Sequence, residues 1–207
     1  MIVKPKTERA EHQEPQRRRN AVRLRWEGVA AWLMAVASLS AVAQTPTSDT
    51  VIDREYTIKA GFLYHFSTYI EWPADAFPAE GEPFVIGVYG TDPFGTALEQ
   101  IAQKKNVAGR TIEVRHVSSV KEALDCHILY VPKSVPRAEQ DAVVKALIAR
   151  PILDVGETDD FVARGGNVQL FVEGNKVRFA FGEQSHDRDN LKISSKLLSL
   201  AKMVPSR

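Results

Sequence analysis

The segment from Gly90 to Thr96 has the residue types best suited to binding a ligand, and it lies between an apolar run and a helix-like segment. In open α/β sheets, ligands bind just beyond the carboxyl ends of strands, and a helix amino terminus attracts anions. The segment has neither G-x-G-x-x-G spacing nor a Walker lysine. Asp92 and Phe94 are therefore candidates for contact with a ligand or partner. The alternative is a proline turn in which Asp92 caps the following helix.

Two further candidates flank the predicted strands. Arg164 is followed by Gly165 and Gly166 before a hydrophobic run, and such glycines indicate positive φ angles or a close approach to the backbone. Arg164 is a candidate for binding an anion, and the alternative is that it caps a short helix. Trp72 is a candidate because tryptophan concentrates binding energy in interfaces; the alternative is a core position.

The histidines do not predict a metal site. Cys126 and His127 are adjacent, and successive side chains of a strand point to opposite faces. His65 lies on a predicted helix, away from its apolar stripe. The last group, at the predicted start of the C-terminal helix, consists of His186, Asp187 and Asp189. Acids at that position favour the helix dipole, so we expect no metal ion.

No set of residues predicts catalysis. The chain lacks the G-x-S-x-G pattern of a serine nucleophile elbow. Ser194 and Ser195 fall in an amphipathic segment, and nothing near Cys126 in the sequence indicates an activated thiol. We therefore expect a protein that is not an enzyme and carries no cofactor, with a hydrolase as the enzymatic alternative.

Apolar residues at three- and four-residue spacing predict the helices that position these candidates. The first helix begins at Asp53 and ends before Pro73, because a proline disfavours helical geometry at the preceding residue. Its apolar stripe consists of Tyr56, Ala60, Leu63, Phe66 and Ile70. Further helices are predicted at residues 94–103, 119–124, 136–149 and 191–201.

Six strands are predicted between these helices. They are residues 84–89, 110–117, 127–131, 152–155, 168–172 and 176–181. Gly174-Asn175 separates the last two and indicates a hairpin, whereas strands that alternate with helices form a mainly parallel sheet. The predicted fold is a three-layer α/β sandwich: a mainly parallel sheet of about six strands, a C-terminal antiparallel hairpin and helices on both faces.

Residues 1–43 have the order of a secretory signal peptide. Five arginines between residues 17 and 25 precede an apolar run at 29–42, which ends in Ala41-Val42-Ala43. A permanent membrane anchor is the alternative, although a span needs about 20 apolar residues. A twin-arginine route is a second alternative, which Asn20-Ala21 matches poorly. The sequence thus predicts a leader at 1–43, a flexible arm at 44–52 and a single domain at 53–207 in the periplasm.

The net charge argues against binding of nucleic acid, and the cysteine content excludes a disulfide within one molecule. Without residues 1–43, the chain keeps 19 Lys and Arg against 22 Asp and Glu, a net charge of −3. A basic groove for nucleic acid is therefore not expected. Cys126 is the only cysteine, so a disulfide within one molecule is impossible. We interpret it as a small buried hydrophobe, with a redox or intermolecular role as the alternative.

Several segments together resemble the YfiR/HmsC-like family, and they do so in the same order. They are residues 59–66 with Glu71-Trp72-Pro73, residues 90–95, 107–110 and 126–129, Gly165-Gly166, and residues 191–198. The resemblance covers about residues 56–204. It implies a periplasmic α/β domain that restrains an inner-membrane diguanylate cyclase by binding its periplasmic sensor domain, so that cyclic di-GMP and biofilm formation fall. It also implies that an outer-membrane lipoprotein can sequester the repressor.

The chain differs from some members of this family in its cysteine content, and the resemblance does not identify its interface residues. Some relatives use several cysteines in disulfides, which Cys126 alone cannot form within one molecule. The family's interface residues do not transfer by motif, so the partner surface is predicted near Trp72 and around residues 92–94. A homodimer is compatible with this interpretation. The alternative function is a periplasmic small-molecule sensor or carrier, with its pocket beyond Tyr89 and near Arg164.

Overall fold

Five α-helices and ten β-strands form in the part of the chain that the computed structural model describes, namely residues 48–77, 79–184 and 189–205, with side chains from residue 54 onward. The helices are α1 (Ser48–Tyr69), α2 (Ala97–Lys104), α3 (Val120–Ala123), α4 (Arg137–Leu147) and α5 (Ser195–Leu198). The strands are β1 (Ile70–Glu71), β2 (Phe84–Tyr89), β3 (Asn106–Val107), β4 (Arg110–Val117), β5 (Ile128–Val131), β6 (Leu153–Gly156), β7 (Val168–Glu173), β8 (Lys176–Gly182), β9 (Lys192–Ile193) and β10 (Lys202–Val204).

Eight of these strands form one sheet in the order β10-β8-β7-β6-β5-β2-β4-β3, and β1 pairs with β9 in a second, two-stranded sheet. The central strands β4, β2, β5, β6 and β7 run parallel. The β7–β8 hairpin is antiparallel, as is the β3–β4 pair. All six predicted strands are present, and the short edge strands β3 and β10 extend the sheet. The predicted three-layer α/β sandwich is confirmed.

The burial of β2 shows that helices cover both faces of the main sheet. All six of its residues are buried, as expected for a parallel strand covered on both faces. Phe84, Ile86 and Val88 pack into a cluster that contains side chains of α1 and α2. Val85 and Tyr89 pack into a second cluster with side chains of α3 and α4. Each face of the sheet therefore buries its own hydrophobic core.

Helix α1 covers the first of these faces with the predicted stripe, in which Tyr56, Ala60, Leu63 and Phe66 are at most 8% exposed. The helix begins at Ser48, five residues before the predicted start, within the segment predicted to be a loose arm. The chain leaves the helix at Tyr69, and the next two residues form β1 before Pro73.

The turn between β7 and β8 has the geometry that its sequence predicts. Gly174 and Asn175 have φ angles of 54° and 60°. Two positive φ angles define the type I′ turn, whose twist matches that of the flanking strands. The hairpin register then pairs Glu173 with Lys176 directly across the turn, and Val172 with Val177 as the next pair.

The predicted C-terminal helix over residues 191–201 is wrong. Only Ser195–Leu198 is helical, because Lys192–Ile193 pairs with β1 and Lys202–Val204 pairs with β8. Ser194 is the N-cap of this short helix, and its Oγ accepts a hydrogen bond from the Lys196 N–H at 3.3 Å. Leu191 and Leu197 are buried as the pattern requires, but Leu191 precedes β9 and only Leu197 lies in the helix.

The predicted leader at 1–43 lies outside the described residues. In the residues that are described, none of the helices combines the length and the apolar character needed to cross a bilayer.

Candidate functional site at the carboxyl edge of the sheet

The carboxyl ends of the parallel strands lie at one edge of the sheet. At this edge, the connections that leave neighbouring strands run in opposite directions. From β2 the chain crosses through α2 to β4 on one side, and then returns through α3 to β5 on the other side of β2. The packing of α2 and α3 against opposite faces makes the gap between β2 and β5 a topological switch point. Ligands of open α/β sheets bind outside the carboxyl ends of the strands at such a point.

The loop after β2 lies at this edge and is held by its own residues. The Gly90 N–H donates to the Val117 carbonyl at 2.8 Å, and Asp92 Oδ1 accepts from the Phe94 N–H at 2.6 Å. Asp92 thus closes the turn, whereas Thr96 occupies the N-cap of α2. Phe94 is 2% exposed and packs edge-on against Tyr130, with ring centroids 4.6 Å apart. Phe94 is therefore a core residue, and Asp92 is the partly exposed member of the pair.

A buried polar cluster fills the adjacent part of the edge, and the sequence did not predict it. Lys59 Nζ lies 2.6 Å from Glu157 Oε2 and 2.6 Å from Glu55 Oε1. Glu157 also accepts hydrogen bonds from the hydroxyls of Tyr130 and Tyr56. The cluster joins α1 to the end of β5 and to the residue that follows β6.

Burial defines the electrostatics of this Lys59–Glu157 cluster. The Lys59 and Glu157 side chains are only 2% and 3% exposed. Burial, followed by the charge of Glu157, raises the pKa of the Tyr130 and Tyr56 hydroxyls, which therefore remain protonated donors. Two buried ions and two buried hydroxyls are all paired, as buried charges must be to offset the loss of hydration.

A cleft of about 490 Å³ opens beside the Lys59–Glu157 cluster. Its walls include Glu55, Lys59, Lys133, Glu157 and Phe171. Lys133 is exposed at the rim. The lining carries three acids, Glu55, Glu157 and Asp159, against two lysines, so Lys133 is the one lysine of the lining that is not in the buried pair.

Three possible ligands for a metal ion lie at the other side of the same edge. Atoms of Asp92, Glu99 and His116 lie within 4.8 Å of one another. His116 Nδ1 is 3.9 Å from Asp92 Oδ2. Glu99 Oε2 is shielded from solvent and accepts no hydrogen bond from the described part of the chain. The sequence did not predict this set, because 24 positions separate Asp92 from His116 and they meet only through the parallel pairing of β2 with β4.

Comparison with known protein families shows which family the chain belongs to. A model of the YfiR/HmsC-like family matches residues 56–202. The chain belongs to the YfiR/HmsC-like family. A comparison with curated proteins gives no match. YfiR/HmsC-like proteins are periplasmic in general and act with a membrane diguanylate cyclase in cyclic di-GMP signalling.

In this YfiR/HmsC-like protein the Arg164 guanidinium binds groups of its own chain. It bonds to the Asp141 carboxylate, lies 3.1 Å from Asp160 Oδ1 and donates to Gln140 Oε1 at 3.0 Å. Its side chain is 14% exposed. Arg164 thus ties the loop after β6 to α4, and these contacts satisfy the guanidinium without an external anion.

The two glycines that follow are explained by the packing around Phe161. Gly165 has a φ of 106°, which favours glycine. A Cβ on Gly166 would lie 2.3 Å from the Phe161 ring, and a Cβ on Gly156 would lie 2.4 Å from the same ring. Phe161 is fully buried. The predicted close approach to the backbone is therefore present, and it serves the core.

Trp72 lies at the opposite edge of the sheet from Asp92. Its ring packs edge-on against Phe84 at the amino end of β2, with centroids 4.9 Å apart. Trp72 is partly buried, and its Nε1 is shielded with no hydrogen-bond partner in the described chain. Because Asp92 follows the carboxyl end of β2, the structure does not bring the two predicted contacts onto one continuous patch.

Cys126 and His127 lie beside a larger cleft of about 710 Å³ at the amino edge. Burial raises the pKa of the Cys126 thiol to about 12, so the thiol stays protonated, which fits the predicted small hydrophobe. His127 Nδ1 accepts from the Val85 N–H at 3.0 Å, which leaves Nε2 to donate to the Ala76 carbonyl at 3.0 Å. Burial lowers the pKa of His127. Both of its ring nitrogens are thus engaged within the fold.

Asp189 has a different role from the predicted one. Asp189 is 1% exposed, and it accepts hydrogen bonds from the Ala149 N–H and from Asn167 Nδ2, both at 2.8 Å. It therefore anchors the C-terminal segment to the core and does not begin a helix. His186 and Asp187 lie outside the described residues, and His65 is exposed on α1.

Proposed function

We propose that the protein is a periplasmic regulatory binding protein that represses an inner-membrane diguanylate cyclase through its periplasmic sensor domain, and so lowers cyclic di-GMP and biofilm formation. The observation that carries the proposal is the family match over residues 56–202, which includes all of strands β2 to β8 of the eight-stranded sheet. Export by the signal peptide predicted at 1–43 is part of this proposal. An outer-membrane lipoprotein that sequesters the protein is the expected antagonist, and a symmetric homodimer is the expected oligomer.

Repression by binding requires a difference in affinity between two states of the cyclase. A partner that binds both states equally shifts nothing, however tightly it binds. The protein would therefore hold the sensor domain in its inactive state and carry out no reaction itself.

Deletion of the gene tests the repressor function. We expect cellular cyclic di-GMP, measured by mass spectrometry, to rise on deletion, and we expect no rise when the partner cyclase is deleted as well. Complementation with the whole chain restores the low level. A chain that starts at Gln44, without the predicted leader, does not restore it because it stays in the cytosol. Unchanged cyclic di-GMP in a strain that contains the cyclase contradicts the proposal, and rescue by the leaderless chain contradicts the location.

A small-molecule sensor is the second candidate, and the cleft beside the Lys59–Glu157 cluster favours it. A ligand that binds there stabilises the folded state by mass action. We expect small polar metabolites that contact Lys133 to raise the melting temperature, and we expect Lys133→Ala to remove the shift. Lys145→Ala, on the exposed face of α4, is the control that keeps it. The sensor hypothesis fails if none of the metabolites shifts the melting temperature, or if both variants respond alike.

A further inference from the structure

The carboxylates of Asp92 and Glu99 lie close together at the carboxyl edge of the sheet. Their nearest ligand atoms, with one of His116, lie within 4.8 Å of one another. In the described chain, neither carboxylate forms an ion pair with a lysine or an arginine. The Asp92 side chain is 12% exposed, so its charge is only partly screened by water. Two adjacent carboxylates in such surroundings repel each other unless a proton or a cation intervenes.

The contacts of the fold account for only some of these oxygen atoms. Asp92 Oδ1 accepts the Phe94 N–H at 2.6 Å, which leaves Oδ2 directed to His116. Glu99 lies in the first turn of α2, where the helix dipole favours an acid. That position does not explain why Glu99 Oε2 is shielded from solvent and lacks a hydrogen-bond partner. A buried carboxylate oxygen without a partner is costly, and a bound cation would supply the missing interaction.

We propose that Asp92, Glu99 and His116 bind a divalent transition-metal ion. Two carboxylates and one imidazole form a mixed oxygen and nitrogen set, which suits ions such as Zn²⁺ better than Mg²⁺ or Ca²⁺. Ligand atoms around tetrahedral Zn²⁺ lie about 3.4 Å apart, given bonds of about 2.1 Å. The ligand atoms of the three residues must therefore move closer together on binding. His116 can turn toward the carboxylates because its side chain is 63% exposed. Water completes the coordination sphere.

The three ligands come from three separate elements. Asp92 is in the loop after β2, Glu99 is in α2, and His116 is the penultimate residue of β4. A metal ion would therefore crosslink the loop and α2 to the neighbouring strand. It would also fix the partly exposed surface around Asp92. This inference concerns the metal alone and does not depend on the proposed repressor function.

Calorimetric titration of the purified protein tests the site, after dialysis against a chelator and then against buffer. We expect one Zn²⁺ per chain and much weaker binding of Mg²⁺. His116→Ala should reduce the Zn²⁺ affinity at least about 10-fold, the size of effect typical for loss of a group that supports a metal. Glu99→Gln, which keeps the shape of the side chain, should reduce it similarly. His65→Ala, which removes an exposed histidine of α1, should leave it unchanged.

Thermal unfolding provides a second measurement on the same samples. Zn²⁺ should raise the melting temperature of the unmodified protein and of His65→Ala, and it should not raise that of His116→Ala. Because His116 is exposed, its replacement leaves the fold intact, which the melting curve without metal checks. The proposal is overturned if Zn²⁺ does not bind, if all variants bind it equally, or if Mg²⁺ binds as tightly and His116→Ala has no effect.

Discussion

Replacing Glu157 by alanine is expected to destabilise the fold by about 3–5 kcal/mol, the usual cost of removing one partner of a buried ion pair. The variant leaves the Lys59 ammonium, 2% exposed, with Glu55 as its one remaining ion-pair partner among the described residues. It also leaves the hydroxyls of Tyr130 and Tyr56 without their acceptor. Urea unfolding measures the effect as a lower midpoint with an unchanged slope.

Two comparisons isolate the buried charge as the cause. Glu173→Ala removes a carboxylate from an exposed pair with Arg178, whose side chain is 52% exposed, and should cost less than about 1 kcal/mol. The double variant Lys59→Met/Glu157→Gln removes both charges, so it should cost clearly less than the sum of its two single variants. A loss for Glu157→Ala no larger than that of Glu173→Ala would contradict a structural role for the Lys59–Glu157 cluster.

The Lys59–Glu157 cluster also shows why the sequence predicted the fold better than the site. Local patterns indicated the buried strands, the α1 stripe and the Gly174-Asn175 turn, because each depends on neighbours a few residues apart. Lys59 and Glu157 are 98 positions apart, and no short-range pattern records their contact. One local signal was available: Lys59 follows Tyr56 by three residues and so lies on the apolar side of α1. A lysine at that position predicts a buried partner without identifying it.

In the C-terminal segment, a local pattern was present but predicted the wrong secondary structure. Leu191, Ser194 and Leu197 have helical spacing, and two of them are buried, yet the backbone there is mostly not helical. The outcome depends on β1 and β8, which offer pairing partners to β9 and β10. Strands of two or three residues form only because such partners exist, and periodicity does not report them. For the same reason, the sequence could not place Trp72 and Asp92 at opposite ends of β2.

Adding a single methyl group at Gly156 or Gly166 is expected to destabilise the protein, although Gly→Ala normally stabilises a regular element by about 0.5–1 kcal/mol. A Cβ at either position would lie less than 2.5 Å from the buried Phe161 ring. The ring cannot retreat, because it is fully buried in the cluster beneath α3 and α4. We expect each alanine to cost about 1–3 kcal/mol, as for other overpacked cores, measured by urea unfolding.

Gly61→Ala is the matched control, because its Cβ would meet no atom within 4 Å inside helix α1. The same substitution should therefore stabilise the protein at Gly61 and destabilise it at Gly166. A double-mutant cycle with Phe161→Leu identifies the ring as the cause, since the smaller side chain should reduce the penalty of Gly166→Ala. An unchanged penalty in that background would mean that the glycine is required by its backbone and not by the ring. The motif Gly165-Gly166 would then report a turn, whereas the structure assigns its second glycine to packing against Phe161.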